Sequence, residues 1–131
     1  MSMPELTYIS PSFIVTSIEP SIRFYVEKLG FEVRYLGPEG NPFFAIVGRG
    51  QISIMLKAVA PDIKPIPNHT RHEWARLDAF IYVPEPDALF EEYQSRDVEF
   101  HQAIKNDGDG LRGFEVEDAD GYMLFFGRPW P

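Results

Sequence analysis

A few residues in this chain carry groups able to do chemistry. His69 and His72 stand three apart, beside Glu73. On a helical turn that spacing would bring two imidazoles and a carboxylate toward one ion. The set is too small to specify a metal, and the surrounding prolines favour a loop in which these residues are surface groups. Asp78 is a lone carboxylate in an apolar run, able to accept hydrogen bonds, meet a cation, pair with an Arg or, with a raised pKa, act as a general base. His101 lies on a short predicted strand, where it is either a structural residue or a pH-sensitive donor. Asp118 and Asp120 flank Ala119 ahead of Gly121. They read as a tight turn: the carboxylates take local backbone hydrogen bonds, Gly121 permits positive φ, and the spaced ligands of a calcium loop are missing. The chain has no Cys, which removes disulfides, thiolate ligands and a cysteine nucleophile. Ser, His and Asp are plentiful enough to match a triad by chance, so no such order carries weight.

The bulk properties narrow the class. A length of 131 residues suits one domain with a real core. Hydrophobic residues make up 44% and charged residues 24%, as in a folded globular chain. A formal charge of -8 without a basic patch argues against nucleic acid as a partner. The same charge solvates the surface and, if focused in a cleft, attracts cationic ligands. No apolar run is long enough to span a membrane, and the N-terminus does not read as a secretory signal, so cytoplasmic residence is the expectation.

The elements that must position these groups follow a repeated pattern. Leu6 to Val15 reads as a strand interrupted by Pro11, which implies an edge or a bulge. Ser17 to Pro20 opens a helix with Ile22, Val26 and Leu29 on its apolar stripe, and Gly30 ends it. Strands follow over Phe31 to Leu36, Phe43 to Val47 and Gln51 to Lys57, the last two as a hairpin through Gly48-Arg49-Gly50. Pro61 to Arg76 is a connector. The pattern then returns, with a strand over Leu77 to Val83 and a helix opened by Pro84-Glu85-Pro86. Short strands follow at Val98 to His101, extending to Ala103, then at Gly113 to Val116 and Tyr122 to Gly127. Glu19-Pro20 opens one helix and Glu85-Pro86 the other, so each half reads strand, helix, strand, strand, strand. The predicted fold class is α+β, with tandem β-α-β-β-β modules over roughly 5–60 and 75–130 of a single domain, forming a curved mixed sheet around a central cavity.

Phe24-Tyr25 with Leu29-Gly30-Phe31, and the closing run Phe114-Glu115-Val116-Glu117-Asp118-Ala119-Asp120-Gly121-Tyr122, resemble the "FY…LGF" and "F…DPDG" segments of the vicinal-oxygen-chelate superfamily, with Ala119 in place of the usual Pro. That group includes glyoxalase I, extradiol dioxygenases and the fosfomycin and bleomycin resistance proteins, and the resemblance covers nearly the whole chain. It implies a few inward-facing metal ligands in the metal-dependent members. Counting from the motifs puts Ser10, Met55, Asp78 and Phe125 at those positions. Only Asp78 among them suits a divalent ion, whereas zinc needs about four ligands and a facial iron site two His and a carboxylate. The resemblance is therefore nearest to the metal-free bleomycin resistance proteins, with no metal and no cofactor expected.

Strand alternation gathers Ser10, Ser12, Ser53, Met55, Asp78, Phe80, Tyr82, Met123 and Phe125 on one wall, mostly apolar with a few hydroxyls and one carboxylate. Each of these has a plain alternative as packed core. The wall suits an aromatic or amphipathic small molecule, including a cationic one. Trp74 and Arg112, with Tyr35 and Trp130, are further ligand or interface candidates. The resemblance also implies a homodimer, with Pro11 where an arm can cross to a partner, and the open sheet edges need cover. The leading expectation is a metal-independent binding protein that sequesters a drug or metabolite. The alternative is a divergent lyase, isomerase or dioxygenase using a displaced metal or Asp78 as base. The sequence leaves open whether the protein is an enzyme.

Overall fold

In the first strand, Pro11 decides where regular pairing begins. The structure, a computed structural model, describes residues 2–131. Strand β1 spans only Ser12–Ile14, shorter than the apolar run from Leu6 suggests. Proline has no N–H to give the ladder, so the chain before it leaves the sheet as an arm held by two contacts. Met55 N–H donates to the Pro11 carbonyl at 2.9 Å, and the Ser10 and Ser53 hydroxyls share a hydrogen bond of 2.5 Å. Further out the arm is bare, with Leu6 95% and Ile9 91% exposed.

Helix α1, Ile18–Arg23, continues as a wider π-type coil over Phe24–Lys28. Phe31 N–H reaches back to the Tyr25 carbonyl at 3.0 Å, and Gly30, at φ 72, makes the left-handed turn that releases the chain into the sheet. Strands β2 Glu32–Gly37, β3 Phe44–Arg49 and β4 Ile52–Lys57 complete the first module. The connector holds one 3₁₀ turn, Asn68–Thr70. The second module comprises β5 Ala79–Tyr82, helix α2 Pro86–Ser95, β6 Phe100–Asn106, β7 Leu111–Glu117 and β8 Met123–Pro129. Pro86 sits in the first turn of α2, where its missing N–H costs nothing.

The duplication extends to the topology. One sheet runs β1-β4-β3-β2 and the other β5-β8-β7-β6. In each, the first and last strands of the module pair in parallel, β1 with β4 and β5 with β8, and the remaining neighbours are antiparallel. The helix-bearing faces merge into one core that joins Phe13, Tyr25, Leu29, Ile54 and Leu56 to Tyr93, Phe114, Tyr122, Leu124 and Phe126. Phe13 stacks on Tyr122 with centroids 4.2 Å apart. Tyr25 donates its hydroxyl proton to Asp118 Oδ2 at 2.5 Å, and Tyr93 donates to the Leu29 carbonyl at 2.9 Å. Arg49 on β3 grips Glu92 on α2 through two hydrogen bonds of 2.8 Å. With these contacts fixing the modules to one another, the opposite faces of both sheets remain as a curved wall around a hollow that stays open in the single chain. Among the described residues no helix is long and apolar enough to cross a membrane.

Candidate functional site on the concave wall

Alternation along the strands decides which side chains reach this wall. Phe13, Ile54, Leu56, Leu124 and Phe126 point into the core, so Ser12, Ser53, Met55 and Phe125 come out on the other side. On β5, Ala79 and Ile81 pack against the core while Phe80 and Tyr82 stand 47% and 58% exposed. A hollow of about 490 Å³ lies where the arm and the start of β4 meet β5, lined by Tyr8, Ser10, Ser53, Asp78, Phe80 and Tyr82 among others. Phe80 stacks on Phe125 at 5.2 Å and 18°. The Phe125 ring in turn fills the space beside Gly113 and Gly127, where any side chain would collide with that ring and with the neighbouring strand. The glycines thus leave room for a buried aromatic floor beneath an exposed aromatic wall.

The structure brings Ser10, Asp78, Phe80 and Tyr82 together in this hollow and attaches Phe125 to it by stacking. Ser12 and Met55 sit side by side on the first sheet, in a cross-strand row that continues through Ile46 to Tyr35. Trp74 projects from the connector, 85% exposed and edge-on to His72. It borders a second hollow of about 440 Å³ that also includes Phe125, Arg76, Gln102 and Glu115.

Two placements need correction. Arg112 shares the core-side face of β7 with Phe114, not the concave face. It is bound to Asp87 of α2 at 2.9 and 2.5 Å and lies 5.9 Å from the Trp130 ring, so it takes no part in this wall. Asp78 borders the hollow, but both its oxygens are occupied: Oδ1 accepts Asn68 N–H at 2.9 Å and Oδ2 accepts Met123 N–H at 2.8 Å. It clips the connector to β8, and a carboxylate used this way is a poor general base or cation anchor. Glu115 and Arg76, by contrast, were missed. The signal was present in the alternation of Phe114, Glu115 and Val116, which turns Glu115 away from the core toward Phe125, its partner on β8.

Ser10, Met55, Asp78 and Phe125, the positions counted from the motifs, are not all cross-strand partners. Register pairs Ser12 with Met55 and Phe80 with Phe125. Ser10 instead bonds Ser53, and Asp78 N–H bonds the Met123 carbonyl. Ser10, Met55, Asp78 and Phe125 offer a hydroxyl, a thioether, one carboxylate already engaged by two N–H groups and a benzyl ring, and this donor set does not fit a divalent cation. His69 Nε2 bonds the Gly121 carbonyl at 2.7 Å, and His72 Nδ1 accepts Trp74 N–H at 3.1 Å, so His69 ties the connector to the turn between β7 and β8 while His72 serves the connector's own backbone. Among the described residues no three His, Asp or Glu side chains are grouped to hold an ion.

Paired β-α-β-β-β modules with an open concave wall define the vicinal-oxygen-chelate class of fold. The chain belongs to the Glyoxalase/Bleomycin resistance protein/Dioxygenase superfamily, whose sequence profile matches residues 7–126. Among solved structures, it is similar to the bleomycin-binding protein of bleomycin-producing Streptomyces verticillus in complex with copper(II)-bleomycin. The two share 25% identity with a TM-score of 0.67, over 95% of this chain and 97% of that one. TioX from Micromonospora sp. ML1 matches at 18% identity and TM-score 0.69, over 92% of this chain and 97% of its own. TnmS3, an antibiotic binding protein from Streptomyces sp. CB03234, matches at 21% and 0.65, over 98% of each chain. No curated protein sequence matches this chain.

Proposed function

We propose that this protein binds an aromatic or amphipathic small molecule on its concave wall without a metal, as a sequestering protein rather than a metal-dependent lyase, isomerase or dioxygenase. The observation that carries this reading is the composition of the wall. The positions where the motifs would place metal ligands hold Ser10, Met55, Asp78 and Phe125, the single carboxylate among them engaged on both oxygens, and beside them Phe80 and Tyr82 present aromatic faces to an open hollow. Apolar faces with a few hydroxyls suit a flat organic ligand. Similarity to structures of a bleomycin-binding protein and an antibiotic binding protein supports an antibiotic or a related metabolite as the ligand class.

The same reading includes a second copy of the chain. The bare arm carries Leu6, Tyr8 and Ile9, and Tyr8 and Ile9 already border the hollow. An apolar arm free of its own sheet is suited to lie on a partner, and two copies would then wall the ligand from both sides.

Calorimetry and thermal shift against flat aromatic and bleomycin-like compounds test the proposal. The expected result is saturable binding, one ligand per chain, weakened about tenfold by Phe80→Ala through loss of one stacking face. Absence of saturable binding across a broad panel would overturn the proposal. So would a transition metal retained at one per chain after purification without chelator.

A further inference from the structure

We propose that Glu115 is the recognition group for a positively charged nitrogen, an amidine or amine, carried by an aromatic ligand in the hollow beside Trp74. This rests on the reading that the concave wall holds small molecules, and it names the residue and the ligand chemistry. Glu115 comes out of β7 on the concave face, directly across from Phe125. Its side chain is only 5% exposed. A carboxylate so far out of water needs donors on both oxygens, and only one oxygen has one. Arg76 Nη2 donates to Oε2 at 2.5 Å, while Oε1 has no hydrogen-bond partner. His101 Nε2 stands 3.9 Å from Oε1, beyond hydrogen-bond reach. Arg76 Nε is likewise without a partner. The ion pair is half satisfied, and both of its members border the hollow.

The surroundings choose the sign of the ligand. Asp107 and Asp109 border the same hollow, so Arg76 offsets one of three carboxylates and Gln102 adds no charge. Asp107 Oδ1 is already bound to the Asp109 and Leu111 N–H groups, so Glu115 is the buried acceptor without a partner and Asp107 and Asp109 are background negative potential. The ring of Trp74 is almost wholly free, and Phe125 forms part of the lining. A planar cation on an aromatic body meets all of this together. Its N–H donates to Glu115 Oε1 in a charge-assisted bond, and its ring lies against an aromatic face. Asp78, whose oxygens are both engaged, offers no such acceptor.

Titration of the full chain with 2-naphthamidine and with its neutral isostere 2-naphthamide tests the assignment. The amidine should bind at least tenfold more tightly. Glu115→Gln should abolish that preference, and Arg76→Met, which frees Glu115 from its competitor, should strengthen amidine binding. Amidine-induced shifts at the backbone amides of Gly113 and Gly127, under Phe125, locate the site. Equal affinity of the two probes for the unaltered protein, or a preference that survives Glu115→Gln, makes the Arg76–Glu115 pair a tether alone and overturns the assignment while the binding reading stands. Silence from both probes also overturns it, and the broader reading falls with it only if the wider aromatic panel is silent as well.

Discussion

Tyr25 and Asp118 meet where the two modules join, and the pair shows how much one carboxylate can hold. Asp118 accepts the Tyr25 hydroxyl on Oδ2 and the N–H groups of Asp120 and Tyr122 on Oδ1, each at 2.9 Å. Replacing it with Ala would leave buried donors without acceptors and destabilise the fold by about 1–3 kcal/mol. Burial nevertheless dominates its titration, pushing the carboxyl up to about 6 against the opposing pull of its hydrogen bonds. The folded chain therefore takes up this proton from about pH 6 downward, the unfolded chain only near its ordinary value of about 3.9. The resulting stability is fully present below the unfolded value and is lost as pH rises through about 6. Denaturant unfolding of the native protein and of Asp118→Asn between about pH 4 and 7 should show the native advantage widening toward acid. A difference that is flat with pH, or that narrows in acid, would refute this.

At the scale of elements, β7 and β8 carry the aromatic floor, and they carry it on glycine. Gly113 and Gly127 pair directly across the ladder, and Phe125 occupies the space their missing side chains leave. Gly113→Ala would drive a methyl into that ring and into the adjoining backbone. Overpacking of this kind costs about 1–3 kcal/mol, and here the ring it displaces is the one stacked under Phe80. Gly113→Ala should therefore lower both the unfolding midpoint and affinity for an aromatic ligand, whereas Gly50→Ala, in the open hairpin turn, should lower the midpoint and leave affinity alone. Equal affinity in all three proteins would show that the floor plays no part in binding.

For the whole molecule, the arm is the element without a home. Its apolar residues make no core in the single chain, yet they continue the strand that borders the hollow. Leu6→Lys with Ile9→Lys alters two residues that are almost fully exposed and should leave the folded single chain intact. Sedimentation should show a native dimer and at least a tenfold weaker association for the double variant. A native chain that sediments as a monomer at high concentration would remove the second copy from the proposed function.

Much of this protein was legible in its residues. Alternation along the strands, prolines opening both helices, Gly30 closing the first and the Asp118 to Gly121 turn together dictate two like modules, because each is a local signal read by the backbone over a few residues. The weakness of the counted donor set was equally legible, since Ser10, Met55 and Phe125 beside one carboxylate, Asp78, fall short of the ligands a divalent cation needs. Strand ends, pairing register and polar partners were decided only when distant segments met. Pro11 cut the first strand short once β4 was its neighbour, Asp78 was claimed by the N–H groups of Asn68 and Met123, and Arg112 was drawn to Asp87 on the far face. Glu115 gained its significance in the same way. Its side of the strand follows from alternation, but its half-satisfied burial beside Arg76 exists only because the connector, 39 residues away in sequence, folds over it.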